Sequence, residues 1–228
     1  KSKIRGEVSE GMICAEDELG LGTSHDGILV LPEKAEVGKK ANEFFQVEED
    51  IVYEIGLTPN RADATSHIGV ARDLVAALNL REKKRSYSLK VPPVTKFEVI
   101  NNDLDIDVVV EDTQACPRYT GVTLSGIQVK ESPDWLKNKL NALGLRPINN
   151  IVDITNFVLM ETGQPLHAYD TTAIDGNKVV VRKAQPKEKF VTLDEIKREL
   201  SADDLMICNA DKGMCIAGVF GGATSGVT

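Results

Sequence analysis

The chain has 228 residues, 42% of them hydrophobic, and a net charge of −8 at pH 7. That is enough apolar material for a sizeable core in one to three domains, and the acidic balance argues against nonspecific nucleic-acid binding through an overall basic surface. No apolar run approaches the roughly 18 residues of a membrane span and no secretory pattern opens the chain, so a soluble protein with no membrane partner is expected. Cys14, Cys116, Cys208 and Cys215 show no Cys-x-x-Cys spacing and only three histidines accompany them. Reduced, buried thiols and no metal site are expected.

In chain order, residues 1–46 carry Gly11, Gly20, Gly22, Gly27 and Gly38 around short apolar runs such as Ile28–Leu31, which reads as strands and turns of a small barrel. Residues 47–93 read as a strand–helix unit and linker. Ile51–Ile55 is extended, Thr58-Pro-Asn-Arg61 turns, and Thr65 or Ser66 caps a helix whose apolar face is Ile68, Ala71, Val75 and Leu78. His67, in the first turn, is read as structural because a helix N-terminus disfavours a protonated ring. The densest basic cluster, Arg81–Arg85, precedes Pro92-Pro93 and reads as solvated linker or as a local RNA patch.

From residue 94 onward, alternation at Phe97–Ile100, Ile106–Val110 and Tyr119–Leu124 predicts strands. Ser132-Pro133 opens a helix through Trp135, Leu136, Leu140 and Leu143, which Gly144 stops. Between Gly144 and Gly163 the apolar residues Ile151, Val152, Ile154, Phe157, Val158 and Leu159 are too dense for an exposed helix. Asp153, Thr155 and Asn156 are therefore expected in the interior, bonded to nearby backbone and fixing local turns. Strand-like runs follow at Lys178–Arg182, Phe190–Leu193, Leu205–Cys208 and Met214–Gly218. Helices and strands cluster rather than alternate, so the class is α+β.

Four ordered blocks carry a family resemblance: Gly11-Met-Ile-Cys-Ala-Glu-Asp-Glu-Leu-Gly-Leu-Gly22, Leu57-Thr-Pro-Asn-Arg-Ala-Asp63, the run from Arg146-Pro-Ile-Asn through Val152-Asp-Ile-Thr-Asn156 to Gln164-Pro-Leu-His-Ala-Tyr-Asp170, and Ile216-Ala-Gly-Val-Phe-Gly-Gly222. The chain resembles the bacterial phenylalanyl-tRNA synthetase beta chain over nearly its whole length. The resemblance implies three parts: the closing half of an oligonucleotide-binding-type barrel at 1–46, the strand–helix unit at 47–93, and a mixed-sheet editing domain at 94–228, truncated at its C-terminus. Half a barrel leaves an unpaired edge, so an excised piece of a longer polypeptide is expected.

What the resemblance implies about function follows from an asymmetry in discrimination. A pocket shaped for phenylalanine rejects an analogue with one added hydroxyl poorly, whereas a site built to bond that hydroxyl rejects the analogue lacking it by about ten-thousand-fold or more. Tyrosine is the expected error, and this chain would hydrolyse it from the phenylalanine tRNA. Carried across residue by residue, the resemblance assigns His167 and Thr155 to the chemistry and Arg146, Pro165, Ala217, Gly218 and Gly221 to substrate binding.

Arg146 offers planar donors for a phosphate or ribose, or closes a helix end. His167 orients water or moves a proton, or is merely hydrogen-bonded. Thr155 donates to a carbonyl or holds water, Pro165 walls the site, and the glycines admit a ligand to the backbone or simply end a strand. The family's hydroxyl-recognising glutamate lies beyond Thr228, and neither Glu161 nor Glu195 stands at the matching position. No serine or cysteine is paired with a base, so attack by a positioned water is the expected route, with the base unresolved.

By the same resemblance, this part of the chain needs no cofactor, while ATP and magnesium serve the complete synthetase. Its partners would be phenylalanine tRNA, the esterified tyrosine and a synthetase alpha subunit in an alpha2-beta2 assembly, in the cytoplasm. The alternative is a noncatalytic tRNA-binding or subunit-scaffolding module. A nucleotide-dependent enzyme would need a phosphate-binding loop, which the sequence lacks.

Overall fold

The computed structural model describes residues 2–4, 6–22, 24–45, 50–83 and 85–228. The chain divides into two compact units, Lys1–Glu49 and Asp50–Thr228. The expected boundary at 46/47 lies outside the described residues, as does Lys84 of the basic cluster. Residues 50–93, expected as a unit of their own, fall in the second unit together with 94–228. Among the described residues no helix is long and apolar enough to cross a membrane.

In the first unit, β1 (Ser2–Ile4) pairs antiparallel with β2 (Glu7–Ser9), Ser2 facing Ser9. The Asp17–Leu19 turn closes on Gly20 at φ 67°, its N–H reaching Asp17 O at 3.0 Å, and a single helical turn, α1 (Ala41–Phe44), follows. The described residues stop short of the expected barrel. Ile28–Leu31 forms no strand, and its tie to a neighbouring segment is one bond, Leu29 N–H to Cys14 O at 2.8 Å.

The second unit is a mixed sheet with helices packed beside one another. α2 (His67–Glu82) starts at Ser66, the capping hydroxyl of the two candidates, which accepts from Gly69 N–H at 3.0 Å. Gly69 has a packing reason to be glycine: a Cβ there would sit 2.4 Å from Asp63 O. Ile51–Ile55 precedes this helix without joining a sheet, and its apolar side chains are exposed. Phe97–Ile100 and Tyr119–Leu124 are likewise unpaired. Alternation predicts extended chain, but a ladder also needs a neighbouring strand in register.

β3 (Asp107–Val110) begins the five-stranded sheet. α3 (Asp134–Ala142) and α4 (Asn150–Thr162) follow, packed together through an edge-on contact of Trp135 with Phe157 at 5.6 Å. Then come β4 (Lys178–Lys183), β5 (Lys189–Val191), β6 (Lys197–Glu199), β7 (Leu205–Cys208), β8 (Gly213–Ile216) and β9 (Phe220–Gly221). The sheet order is β3-β4-β7-β8-β9, with β3 parallel to β4 and the other pairs antiparallel. The α+β class with a mixed sheet is thus observed. β5 and β6 form a separate hairpin. Strand alternation sends Val179, Val181 and Ile207 to one core and Met206 and Cys208, with Phe190, Ala184 and Leu200, to another.

Two expectations around α3 and α4 are corrected. Residues 150–162 form a helix, with Asn149 Oδ1 accepting from Ile151 and Val152 N–H at 3.1 and 3.0 Å and Gly163 closing the far end at φ 79°. The run is too apolar to be expected as an exposed helix, yet Ile154 and Leu159 are exposed and Ile151, Val152, Phe157 and Val158 half-buried; α3 packs on part of the helix, and His67 of α2 lies with Nδ1 2.9 Å from Met160 O. Asp153 is fully buried, as expected, whereas Thr155 and Asn156 are only half-buried.

The second correction concerns Ser132, which does not cap α3; Pro133 takes that position. The Ser132 hydroxyl instead donates to Asp153 Oδ2 at 2.6 Å, while Ile148 N–H donates to Oδ1 at 2.9 Å. A buried carboxylate outcompetes a helix end for the hydroxyl because it has more to lose by going unsatisfied.

This clasp is directly testable by urea unfolding of the chain. Asp153→Ala leaves the buried Ser132 hydroxyl without its acceptor, at an expected cost of about 1–3 kcal/mol, and also removes the acceptor of the Ile148 N–H. Ser132→Ala leaves the carboxylate its bond to Ile148 and is expected to cost less. An Asp153→Ala loss no greater than that of Ser132→Ala would show that the Ile148 bond adds nothing.

Candidate active site

The segment from Gln164 to Asp170 leaves α4 past Gly163 and carries His167 and Tyr169, whose rings lie 4.6 Å apart, tilted at 55°. Opposite them runs the last strand of the sheet. A Cβ at Gly221 would stand 2.8 Å from His167 Cε1, 3.2 Å from Nε2 and 2.9 Å from Leu193 Cδ1. The imidazole edge and a leucine methyl thus crowd one backbone point that only glycine leaves open.

The strand is pinned on both sides. Gly222 N–H reaches Met214 O at 2.8 Å, and Leu193 N–H reaches Gly221 O at 3.0 Å. At Gly222 a Cβ would meet Met214 O at 2.7 Å and the Phe190 ring at 2.9 Å.

Burial holds His167 below its ordinary pKa of 6.5, so the ring is neutral at pH 7 and can accept a proton at one nitrogen. Tyr169 is pushed far above the ordinary phenol range, first by burial and then by the neighbouring Cys215 thiol. Among the described residues its buried hydroxyl finds no partner at hydrogen-bond geometry other than the neighbouring Cys215 thiol, whose Sγ also reaches Ile216 O at 3.3 Å. Asp170 is pushed down to about 2 because it accepts from Thr228 Oγ1 at 2.5 Å and from Thr172.

The sequence-assigned residues fall in three places. His167 and Gly221 are in contact range, and Ala217 packs against the same core cluster as Tyr169. Gly218 sits in the turn that follows β8, at φ 71°, where Val219 N–H returns to Ile216 O at 3.0 Å. Positive φ at the third turn position is what asks for glycine there, since a Cβ would meet no atom within 4 Å. Pro165 is exposed beside Gln164, whose side chain reaches the Pro165 carbonyl at 3.2 Å.

Thr155 and Arg146 lie elsewhere in the fold. Thr155, on α4, donates to Val152 O at 2.7 Å, and Arg146 is exposed in the loop that the Asp153 clasp holds. Among the described residues neither makes a hydrogen bond to His167. Tyr169 and Leu193 were not singled out by sequence. Tyr169 had a signal, two residues from His167 in a segment without helix, whereas Leu193 reaches the site only through hairpin packing. Among the described residues no group of three or more His, Cys, Asp or Glu gathers as a metal site.

The antiparallel strands β4-β7-β8-β9, whose glycine-bearing edge strand faces a histidine loop, lie within residues 115–228, and this stretch matches the model of the B3/4 domain. The chain belongs to the B3/4 domain family. Over all its residues it is similar to the phenylalanine–tRNA ligase beta subunits of Bacteroides thetaiotaomicron, at 57% identity, Bacteroides fragilis, at 58%, and Porphyromonas gingivalis, at 54%. It spans 28% of the length of each. The resemblance carried by the four sequence blocks is thereby borne out.

Titration checks the packing at His167. A basic group with a lowered folded pKa binds more protons when unfolded, so its contribution is absent above about pH 6.5 and becomes a penalty as pH falls through that value toward the folded pKa. Tyr169→Leu removes the ring that covers the imidazole and is expected to move the His167 pKa up toward 6.5 in an NMR titration. Tyr169→Phe, which deletes only a hydroxyl whose neighbour is the weakly bonding Cys215 thiol, should leave it unmoved and cost little stability.

Proposed function

We propose that the His167–Gly221 surface is a hydrolytic editing site, which removes tyrosine esterified in error to phenylalanine tRNA, within a phenylalanine–tRNA ligase beta subunit. The observation that carries this reading is a neutral imidazole set against the edge strand at Gly221, inside a B3/4 domain of a chain similar throughout to such subunits.

In this reading the esterified tRNA end lies along the glycine strand and His167 orients a water. The water oxygen bonds to the ester carbonyl carbon, the bond from that carbon to the ribose oxygen breaks, and the water's proton reaches that oxygen through the imidazole. Free tyrosine and tRNA leave. Backbone donors around Gly218 stabilise the oxyanion, whose turn leaves the main chain uncovered.

Arg146, on its exposed loop, takes a phosphate or ribose of the tRNA end, and Pro165 and Ala217 bound the site. Thr155, whose hydroxyl donates to Val152 O, keeps its lone pairs available to water. Amino-acid activation with ATP and magnesium, together with the alpha subunit, belongs to the rest of the enzyme. The cytoplasm, where aminoacylation occurs, is the corresponding location.

Deacylation of tyrosyl-tRNA by the complete beta subunit assembled with its alpha partner tests the reading. His167→Ala is expected to slow hydrolysis by about a hundred-fold or more, and Gly221→Val, whose side chain would collide with the imidazole, should abolish it. Phenylalanine attachment should persist in both. Unchanged hydrolysis in both variants would remove the site from editing, and the noncatalytic tRNA-binding alternative would stand.

A further inference from the structure

We infer that His67 is a positioning residue for the proposed site: from the first turn of α2 it holds the end of α4, and so sets where the chain departs toward His167. The role rests on the editing reading of the His167–Gly221 surface and adds to it a residue outside that surface.

The segment that carries His167 is held by its ends. Among the described residues no hydrogen bond ties Leu166, His167 or Ala168 to the sheet, so the imidazole keeps its place through packing on Tyr169 and Gly221 and through the two points that anchor the segment. The far anchor is Asp170, whose Oδ1 accepts from Thr172 N–H at 2.9 Å and from Thr172 Oγ1 at 2.7 Å. The near anchor is the end of α4.

The last four carbonyls of a helix have no partner within it. In α4, Leu159 O is met by Gly163 N–H at 2.8 Å, and Met160 O is met from outside, by His67 Nδ1 at 2.9 Å. A carbonyl oxygen only accepts, so Nδ1 carries the hydrogen and donates it. The preceding residue acts on the same turn: Ser66 Cβ and Oγ lie 3.4 and 3.5 Å from the Cβ position of Gly163. Two successive residues at the start of α2 thus meet α4 where the chain turns away.

The start of α2 is itself fixed. Ser66 Oγ accepts from Gly69 N–H at 3.0 Å, Ala64 just before the cap is fully buried, and a Cβ at Gly69 would collide with Asp63 O and Ala64. His67 is exposed, so it adds little burial. What it adds is direction, a donor on a packed base aimed at the turn that releases the editing segment.

The test is steady-state deacylation of tyrosyl-tRNA, with phenylalanine attachment measured in parallel, by the complete beta–alpha assembly carrying His67→Ala, His67→Asn, His167→Ala or the double replacement of His67 and His167 by alanine. Misplacing a reacting group by about 1 Å can cost about a hundred-fold in rate, and loss of one of two end restraints is expected to lower kcat about tenfold in His67→Ala. KM should stay within about twofold, because the lost bond serves placement of the imidazole and not contact with the tRNA. His67→Asn, whose amide nitrogen can stand where Nδ1 stood, should recover most of the rate. The double variant should be no slower than His167→Ala alone, because His67 acts through His167.

An unchanged kcat in His67→Ala while His167→Ala is slow would overturn the role of His67 and leave the site standing. Unchanged hydrolysis in His167→Ala would overturn the editing reading and the inference with it. Losses that multiply in the double variant, or a loss in His67→Ala that asparagine does not recover and that phenylalanine attachment shares, would show a general structural role and also overturn the inference.

Discussion

The second unit is organised around the carboxylate of Asp153, which is wholly buried and accepts hydrogen bonds from Ser132 Oγ and Ile148 N–H. Three pieces of chain meet there: the entry to α3, the loop that carries Arg146, and the first turn of α4. Removing a carboxylate from water is unfavourable unless its lone pairs are filled, so the three segments must arrive together. Once α4 is set, its far end is set too, and Gly163 releases the chain into the segment bearing His167. The Ser66 side chain of the α2 cap lies against this same release point, within 3.5 Å of the Gly163 Cβ position.

The other half of the candidate site depends on absent side chains. Gly221 and Gly222 are buried, and each would collide with packed groups if given a Cβ: His167 and Leu193 in one case, Met214 O and Phe190 in the other. Gly218 is glycine for a different reason, its positive φ. Close approach and backbone handedness thus act three residues apart, on either side of a short strand. The result is close packing of the imidazole on the strand at Gly221 and open space at the Gly218 turn three residues before it.

Charge plays a supporting part. The half-buried pair of Arg182 and Glu188, bonded through both guanidinium nitrogens, holds the corner where β4 gives way to the β5–β6 hairpin, and Glu188 also accepts from Gln185 N–H. Arg198 with Asp194 and Thr192 stiffens the hairpin's other end. These bonds concern the hairpin that presents Leu193, whereas the His167 ring owes its shifted pKa to burial alone.

The sequence by itself determined the class, the strands at Ile106–Val110, Lys178–Arg182, Leu205–Cys208 and, up to Ile216, Met214–Gly218, the helix stop at Gly144, the burial of Asp153 and the family. Each follows from a local pattern: period-two alternation, a glycine at a helix end, or an ordered motif. Ile51–Ile55, Phe97–Ile100 and Tyr119–Leu124 show the limit of such patterns, because the same alternation is present and no partner strand lies in register. The dense apolar run at 151–159 proved to be a helix with Ile154 and Leu159 exposed, since apolar density in the sequence does not decide which faces find neighbours. Only the tertiary structure decided that Ser132 serves Asp153 rather than α3, that His167 lies against Gly221, and that Leu193 stands beside both. Those are distances between residues 21 to 54 positions apart in the chain, and packing, which no local period encodes, brings them together.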